Sequence, residues 1–418
     1  MSVKLRTILG LSMIVLATIG LMSGTNSAFA AEEAAVPKET LRAEILKPML
    51  EAQDLNAAKK YKEALAKIDE ADAVADKTPY ESYVVSHTRG ATAFSDGNTA
   101  LAAKSFATAM AFERLTVAEF LDIARGLAGQ FYQKNDYPNA GVWAQRYLDK
   151  GGPDPQMKIL LVQTHYLRKD YTSAAGLLRE ISRADDAAGK VTSESQLKLW
   201  VNCESLLNRQ AEVVAAMEKL VTHYPKKEYW NDLIHRVRRN PQFSDRLTLD
   251  VYRLQLNAGA LESADEFVDM AGLAMQAGFP SEAKRVLDKG YADKLLGGGP
   301  DAPKHKKLLD QSVKAASDDQ KTLQQDAQRA MDAKSGTVPV NTGFNLVLLG
   351  QFEKGIALIE RGIAKGGLKN PESATLKLAM AYVFAGQKEK ALQTFKSITA
   401  TDGTADLARL WMLWASQS

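Results

Sequence analysis

The chain has 418 residues, with 53 Lys and Arg against 50 Asp and Glu and a single cysteine, Cys203. One cysteine cannot form a disulfide within the chain, and a formal charge of +3 lacks the strongly basic balance that marks nucleic acid as the main partner. Such a length ordinarily suggests two or three domains, unless the chain is a repeat array whose stacked units make one elongated body.

In chain order, the first 30 residues come as "MSVKLRTILGLSMIVLATIGLMSGTNSAFA". Lys4 and Arg6, an apolar run from Ile8 to Met22, and Ala28-Phe29-Ala30 are the three parts of a secretory signal peptide. The run is shorter than the roughly 20 residues of a membrane helix. Cleavage predicts a mature chain from Ala31, near-neutral once Lys4 and Arg6 are removed. No cysteine near the cleavage site offers a lipid anchor, and no later run is long enough to span a bilayer. A periplasmic protein with no membrane span in its mature chain is expected.

A pattern then recurs. "KKYKEALAKIDEA" carries Tyr61, Ala64, Ile68 and Ala71, and "VVSHTRGATAFSDGNTALAAKSFATAM" carries Gly90, Ala102, Phe106 and Ala109. Leu127, Ala128, Phe131, Tyr137, Ala140, Ala144 and Tyr147 follow, and then Leu161, His165, Tyr171, Ala174, Leu178 and Ile181. Each set places small residues at helical spacing beside large ones, as two antiparallel helices about 8–10 Å apart require where they cross. Ser193 to Pro225 fits loosely, with Trp200 in its first helix. Lys226 to Ala260 is one period long without the signature and reads as a divergent unit. Ala271, Ala283, Leu287 and Gly290 restore the pattern.

"LLGGGPDAP", Leu295 to Pro303, cannot continue a helix, and Ala302 to Ser335 reads as a polar connecting helix pair, a second divergent unit. Gly343, Leu346, Phe352, Gly355, Ile359 and Gly362 open another good unit. In the last one Leu378, Ala379 and Tyr382 face Ala391, Phe395 and Ile398 across the turn Ala385-Gly386-Gln387. "ADLARLWMLWASQS" reads as a terminal helix with Leu407, Leu410, Trp411 and Trp414 on one side. The expected layout is a signal peptide over 1–30, a first solenoid over 31–296, a break with connecting helices over 297–335, and a final segment over 336–418.

The period, about 34 to 39 residues, selects helix-turn-helix solenoids. With its Gly or Ala before Tyr in first helices and Tyr-x-x-Ala in second helices, the chain resembles the tetratricopeptide repeat (TPR) proteins of the exported bacterial kind. Good matches run from Tyr61 to Ile181 and from Phe344 to Ile398. The resemblance implies an all-α, right-handed α-solenoid of TPR-like helix-turn-helix repeats with a C-terminal capping helix. It also implies a non-catalytic scaffold or adaptor whose first helices hold a protein or peptide partner in a concave groove. Counted from the small-residue anchors, that groove takes Val84, His87, Ala91 and Phe94, then Arg125 and Tyr132, then Ile159, Gln163 and Tyr166. Lys198 and Asn202 are similar to the Lys-x-x-x-Asn pair with which some chaperone-binding TPR domains clamp a terminal carboxylate. The following units, which would complete such a clamp, diverge.

Catalytic and metal signatures are missing from the sequence. His87, His165, His223, His235 and His305 form neither HExxH nor an i,i+4 pair, and no Cys/His cluster has zinc spacing. There is no GxSxG elbow and no phosphate-binding glycine loop. Cys203 and His165 read as core residues, and "HRVRR" and "KHKK" as solvated helix faces. No enzyme, metal or cofactor is expected. Two other classes remain: the helical superhelix of a peptidoglycan-acting system, against which the capping helix directly after the last repeat counts, and a structural homo-oligomer self-associating through Ala302 to Ser335.

Overall fold

The computed structural model describes residues 39–417; the expected signal segment and the start at Ala31 lie outside the described residues. By its contacts the chain divides into two units, Met1–Glu180 and Ile181–Ser418. Among the described residues there are twenty α-helices and no strand.

The first unit contains α1 (Ala43–Ala57), α2 (Tyr61–Asp72), α3 (Pro79–Ser95), α4 (Thr99–Met110), α5 (Val117–Gln133), α6 (Tyr137–Asp149), α7 (Pro155–Leu167) and the first part of α8 (Tyr171–Ala187). Pairs α1–α2, α3–α4 and α5–α6 pack internally, and the second helix of each lies on the first helix of the next. The fold is therefore a stack of TPR-like helix-turn-helix pairs. Ala64, Ala71, Ala102, Ala109, Ala140, Ala144 and Ala174 are fully buried at the crossings, where a larger side chain would hold the axes apart. Gly90 does the same for Phe106, whose ring lies 2.8 Å from where a Cβ would stand.

Local sequence sets where these helices begin. Thr78–Glu81 and Thr116–Glu119 form capping boxes at the starts of α3 and α5, each satisfying otherwise unpaired donors at both positions. Glu81 serves a second helix too: Arg42, just before α1, donates Nε to its carboxylate at 2.9 Å and its own backbone N–H at 3.0 Å. That guanidinium, helped by Thr78, holds the buried Glu81 carboxyl down to about 2.

The second unit continues with α9 (Glu194–Leu206), α10 (Gln210–His223), α11 (Lys227–Arg238), α12 (Thr248–Asn257), α13 (Ala264–Gln276) and α14 (Pro280–Ala292). Then come α15 (Ala302–Arg329), α16 (Thr337–Leu348), α17 (Phe352–Lys365), α18 (Pro371–Phe384), α19 (Lys388–Lys396) and α20 (Thr404–Gln417). Lys226 to Ala260, without the signature, still forms two helices, α11 and α12, joined through a 3-10 turn at Asp245–Leu247. Ala302 to Ser335 departs from expectation. In place of a helix pair there is one helix of 28 residues followed by a 3-10 turn. No Gly interrupts it, and Lys306–Asp310 and Lys321–Asp318 pair along its exposed side. Its buried positions His305, Ser312, Ala316 and Leu323 make a stripe only one residue wide, which suits a helix lying along its neighbours.

Eight helix pairs share one turn. Lys59, Gly97, Asn135, Lys169, Asn208, Gly278, Gly350 and Gly386 all have φ between +55° and +80°. The N–H of the next residue bonds the carbonyl five positions back, at 2.8–3.0 Å in every case, as a Schellman ending does. The pair α16–α17 is the tightest, for a Cβ on Gly343 would stand 2.7 Å from the Gly355 carbonyl oxygen, and one on Gly355 2.6 Å from that of Gly343.

The interior of the second unit holds charge. Arg253 of α12, 2% exposed, donates to both oxygens of Glu282 on α14 at 2.8 and 2.6 Å and to Asp250 at 2.6 Å. The rings of Phe279 and Phe344 flank its guanidinium at 5.0 and 4.9 Å. The last helix does more than cover the final pair. α20 buries Leu407, Leu410 and Trp411 against α18 and α19, and it also packs on α10, α11 and α12. Trp414 Nε1 donates to the Asn257 carbonyl at 3.1 Å and Gln417 Nε2 to that of Val221 at 2.9 Å, while Arg246 pairs with Asp402.

Candidate partner-binding surface

Six of the eight groove positions lie in the first unit. On α3, His87 is half-buried between Tyr83 and Phe106, with ring centroids 5.7 Å away in both cases. Burial pushes its pKa down, against a smaller pull from Glu119. Phe94 is corrected: it is 7% exposed and belongs to the core. Its ring fills the space that Gly126 of α5 leaves open, 3.0 Å from where a Cβ would be. The glycine on the neighbouring helix removes Phe94 from the groove.

On α5, Arg125 is exposed and pairs with Asp122. Tyr132 lies seven residues on, on the same side of the helix at about 10 Å along its axis. On α7, Gln163 is exposed and Tyr166 half-buried. The two tyrosines have matching settings, which the sequence reading missed. Tyr132 meets Tyr137 edge-on at 5.7 Å and 61°, and Tyr166 meets Tyr171 at 5.5 Å and 60°. Each pair bridges one of the common turns, and the signal was present in "YQKNDY" and "YLRKDY". Neighbouring first helices are also fixed to one another there, since Gln130 Nε2 donates to the Phe94 carbonyl at 3.0 Å and Asn56 Nδ2 to Thr92 at 2.8 Å.

Lys198 and Asn202 lie exposed on α9, in the second unit. What α5 and α7 offer is a guanidinium, a primary amide and two phenol rings on helices held by their cores. Such groups hydrogen-bond main-chain atoms and cover apolar surface. The residues with chemical potential elsewhere are quiet. Cys203 is buried, and burial, with Glu204 beside it, pushes its thiol up to about 11. His165 Nδ1 lies 2.9 Å from Asp170, which ties it to the turn after α7. No group of three or more His, Cys, Asp or Glu among the described residues is placed to hold a metal ion. None of the described helices is long and apolar enough to cross a membrane.

No protein-family model matches the chain, and no curated protein matches it. Solved helical-repeat structures are similar to it. A chain of the Naa15/Naa10 complex bound to HypK-THB shares 18% identity over 87% of this chain, at a TM-score of 0.28; this chain spans 64% of that chain's length. The TPR2AB domain of yeast Sti1 in complex with pHSP90 shares 12% identity over 72% of this chain and all of its own length, at a TM-score of 0.25. The TPR domain of P58(IPK) shares 13% over 88% of this chain and 98% of its own, at 0.21.

Proposed function

We propose that the chain is an exported, periplasmic, non-catalytic TPR-type scaffold that binds a protein or peptide partner on the first-helix face of its first unit. The observation that carries this reading is the side of α5 and α7 left open by the packing. There Arg125 and Gln163 are exposed, with Tyr132 and Tyr166 half-exposed beside them, on helices whose other sides are fixed by the core around Leu127, Phe131 and Leu161. A rigid backbone presenting aromatic, amide and guanidinium groups gives up little entropy when a partner docks. The export half rests on the N-terminal sequence alone.

The test uses a variant that leaves the core untouched. Arg125→Ala with Gln163→Ala, matched to the native chain by circular dichroism and melting temperature, should lose at least about tenfold in affinity for a partner captured by the native protein. Equal retention by both would remove this surface from the account. Fractionation with N-terminal sequencing tests the other half, predicting a periplasmic protein that starts at Ala31; a cytoplasmic protein retaining the leader would overturn it.

A further inference from the structure

Between α15 and α16 of the second unit lies a cleft of about 390 Å3. One side of it is a polar wall. Asp319, Asp326 and Arg329 line one side of α15, at spacings of seven and three that place them on one face. Leu323, 4% exposed, lies between Asp319 and Asp326 along the helix, and Ala330, 2% exposed, follows Arg329. Opposite stands Asn345 of α16, itself 3% exposed. Its Nδ2 donates to Asp319 at 2.9 Å, which fixes the amide and leaves Oδ1 buried without a donor.

Two of the three charges along this wall, those of Asp326 and Arg329, are uncommitted. On the far side of the same helix Asp318 and Lys321 pair at 2.8 Å, yet the exposed side chains of Asp326 and Arg329, at the same spacing, form no ion pair with each other or with other described residues. An acid and a base standing side by side without closing on one another leave both free to take a ligand's ammonium and carboxylate. Along the helix Asp326 and Arg329 are about 4.5 Å apart, while Asp319 is about 10 Å further back, at 1.5 Å per residue. Two carboxylates against one guanidinium give the wall a charge of −1.

We propose that this cleft binds a free dibasic α-amino acid of the lysine class. The ligand's α-ammonium is received by Asp326 and its α-carboxylate by Arg329. Its distal ammonium reaches Asp319, with the methylene chain over Leu323. A four-carbon side chain with a hydrogen bond of about 3 Å at each end covers the spacing, and a ligand of charge +1 balances the wall. This site is separate from the first-helix surface and does not rest on the scaffold reading.

Titration calorimetry on the full chain with L-lysine, L-norleucine and cadaverine separates the contributions, because norleucine lacks the distal ammonium and cadaverine the carboxylate. Lysine should bind saturably and at least about tenfold more tightly than either. Asp319→Asn should bring lysine down to the norleucine level without changing norleucine, and Arg329→Ala should bring it to the cadaverine level. Both changes fall outside the apolar seam, and circular dichroism verifies that the helix persists. Absence of binding by millimolar lysine, equal affinity for the three ligands, or a lysine preference that survives Asp319→Asn would each overturn the proposal.

Discussion

Lys59, Asn135, Lys169 and Asn208 hold a left-handed backbone that Gly97, Gly278, Gly350 and Gly386 hold in four other turns of the same geometry. A side chain there costs about 1–2 kcal/mol, less for Asn, while glycine returns part of that through the greater freedom of its unfolded chain. Lys169→Gly should therefore stabilise the first unit by about 1 kcal/mol, and Gly350→Ala should destabilise the second by about 1 kcal/mol or more. Urea unfolding at unchanged slope reads both, and shifts of the same sign would contradict the shared turn. The Gly386 turn and the buried alanines were legible in the sequence because each signals its own conformation or contact. Lys59 and Lys169 were not, since lysine carries no turn preference and only the matching period places it there. Phe94 was misread for a related reason, as helical spacing fixes its direction but not the neighbour. The slot it fills belongs to Gly126, 32 positions later in the chain.

Among the elements, the helix pairs were predictable and the interior of the second unit was not. An Arg in "VYRLQL" reads as the wet side of an amphipathic helix, yet Arg253 is buried and joins α12 to Glu282 of α14 and Phe344 of α16. Breaking such a pair leaves the other charge buried without compensation, at about 3–5 kcal/mol. Arg253→Ala should cost that much and loosen α14 and α16 together, visible as faster amide exchange in both. A loss below about 1 kcal/mol would mean that the cluster is solvated in solution. The same reasoning explains α15, whose thin apolar stripe looked like two weak helices. A long helix stabilised by i,i+3 and i,i+4 ion pairs needs only a narrow buried seam, and nothing local stops it before Arg329.

At the scale of the whole molecule the two units differ in how they end. The first is a run of pairs, each packed on the next, with the side of α5 and α7 open. In the second, α20 returns to α10, α11 and α12 from more than 150 positions away, through Trp414 to Asn257 and Gln417 to Val221. A helix that covers the last pair was expected; its reach back along the chain was not, because its partners carry no sequence mark. The scaffold reading rests on the open side of α5 and α7 in the first unit. Placing a photo-reactive side chain at Gln163 on α7, or for comparison at the exposed Gln145 on α6, tests that claim most directly in living cells. The account predicts a discrete protein adduct from position 163 and none of that mass from position 145. Adducts alike from both positions, or none from 163 in cells where the partner is captured by the purified chain, would contradict it.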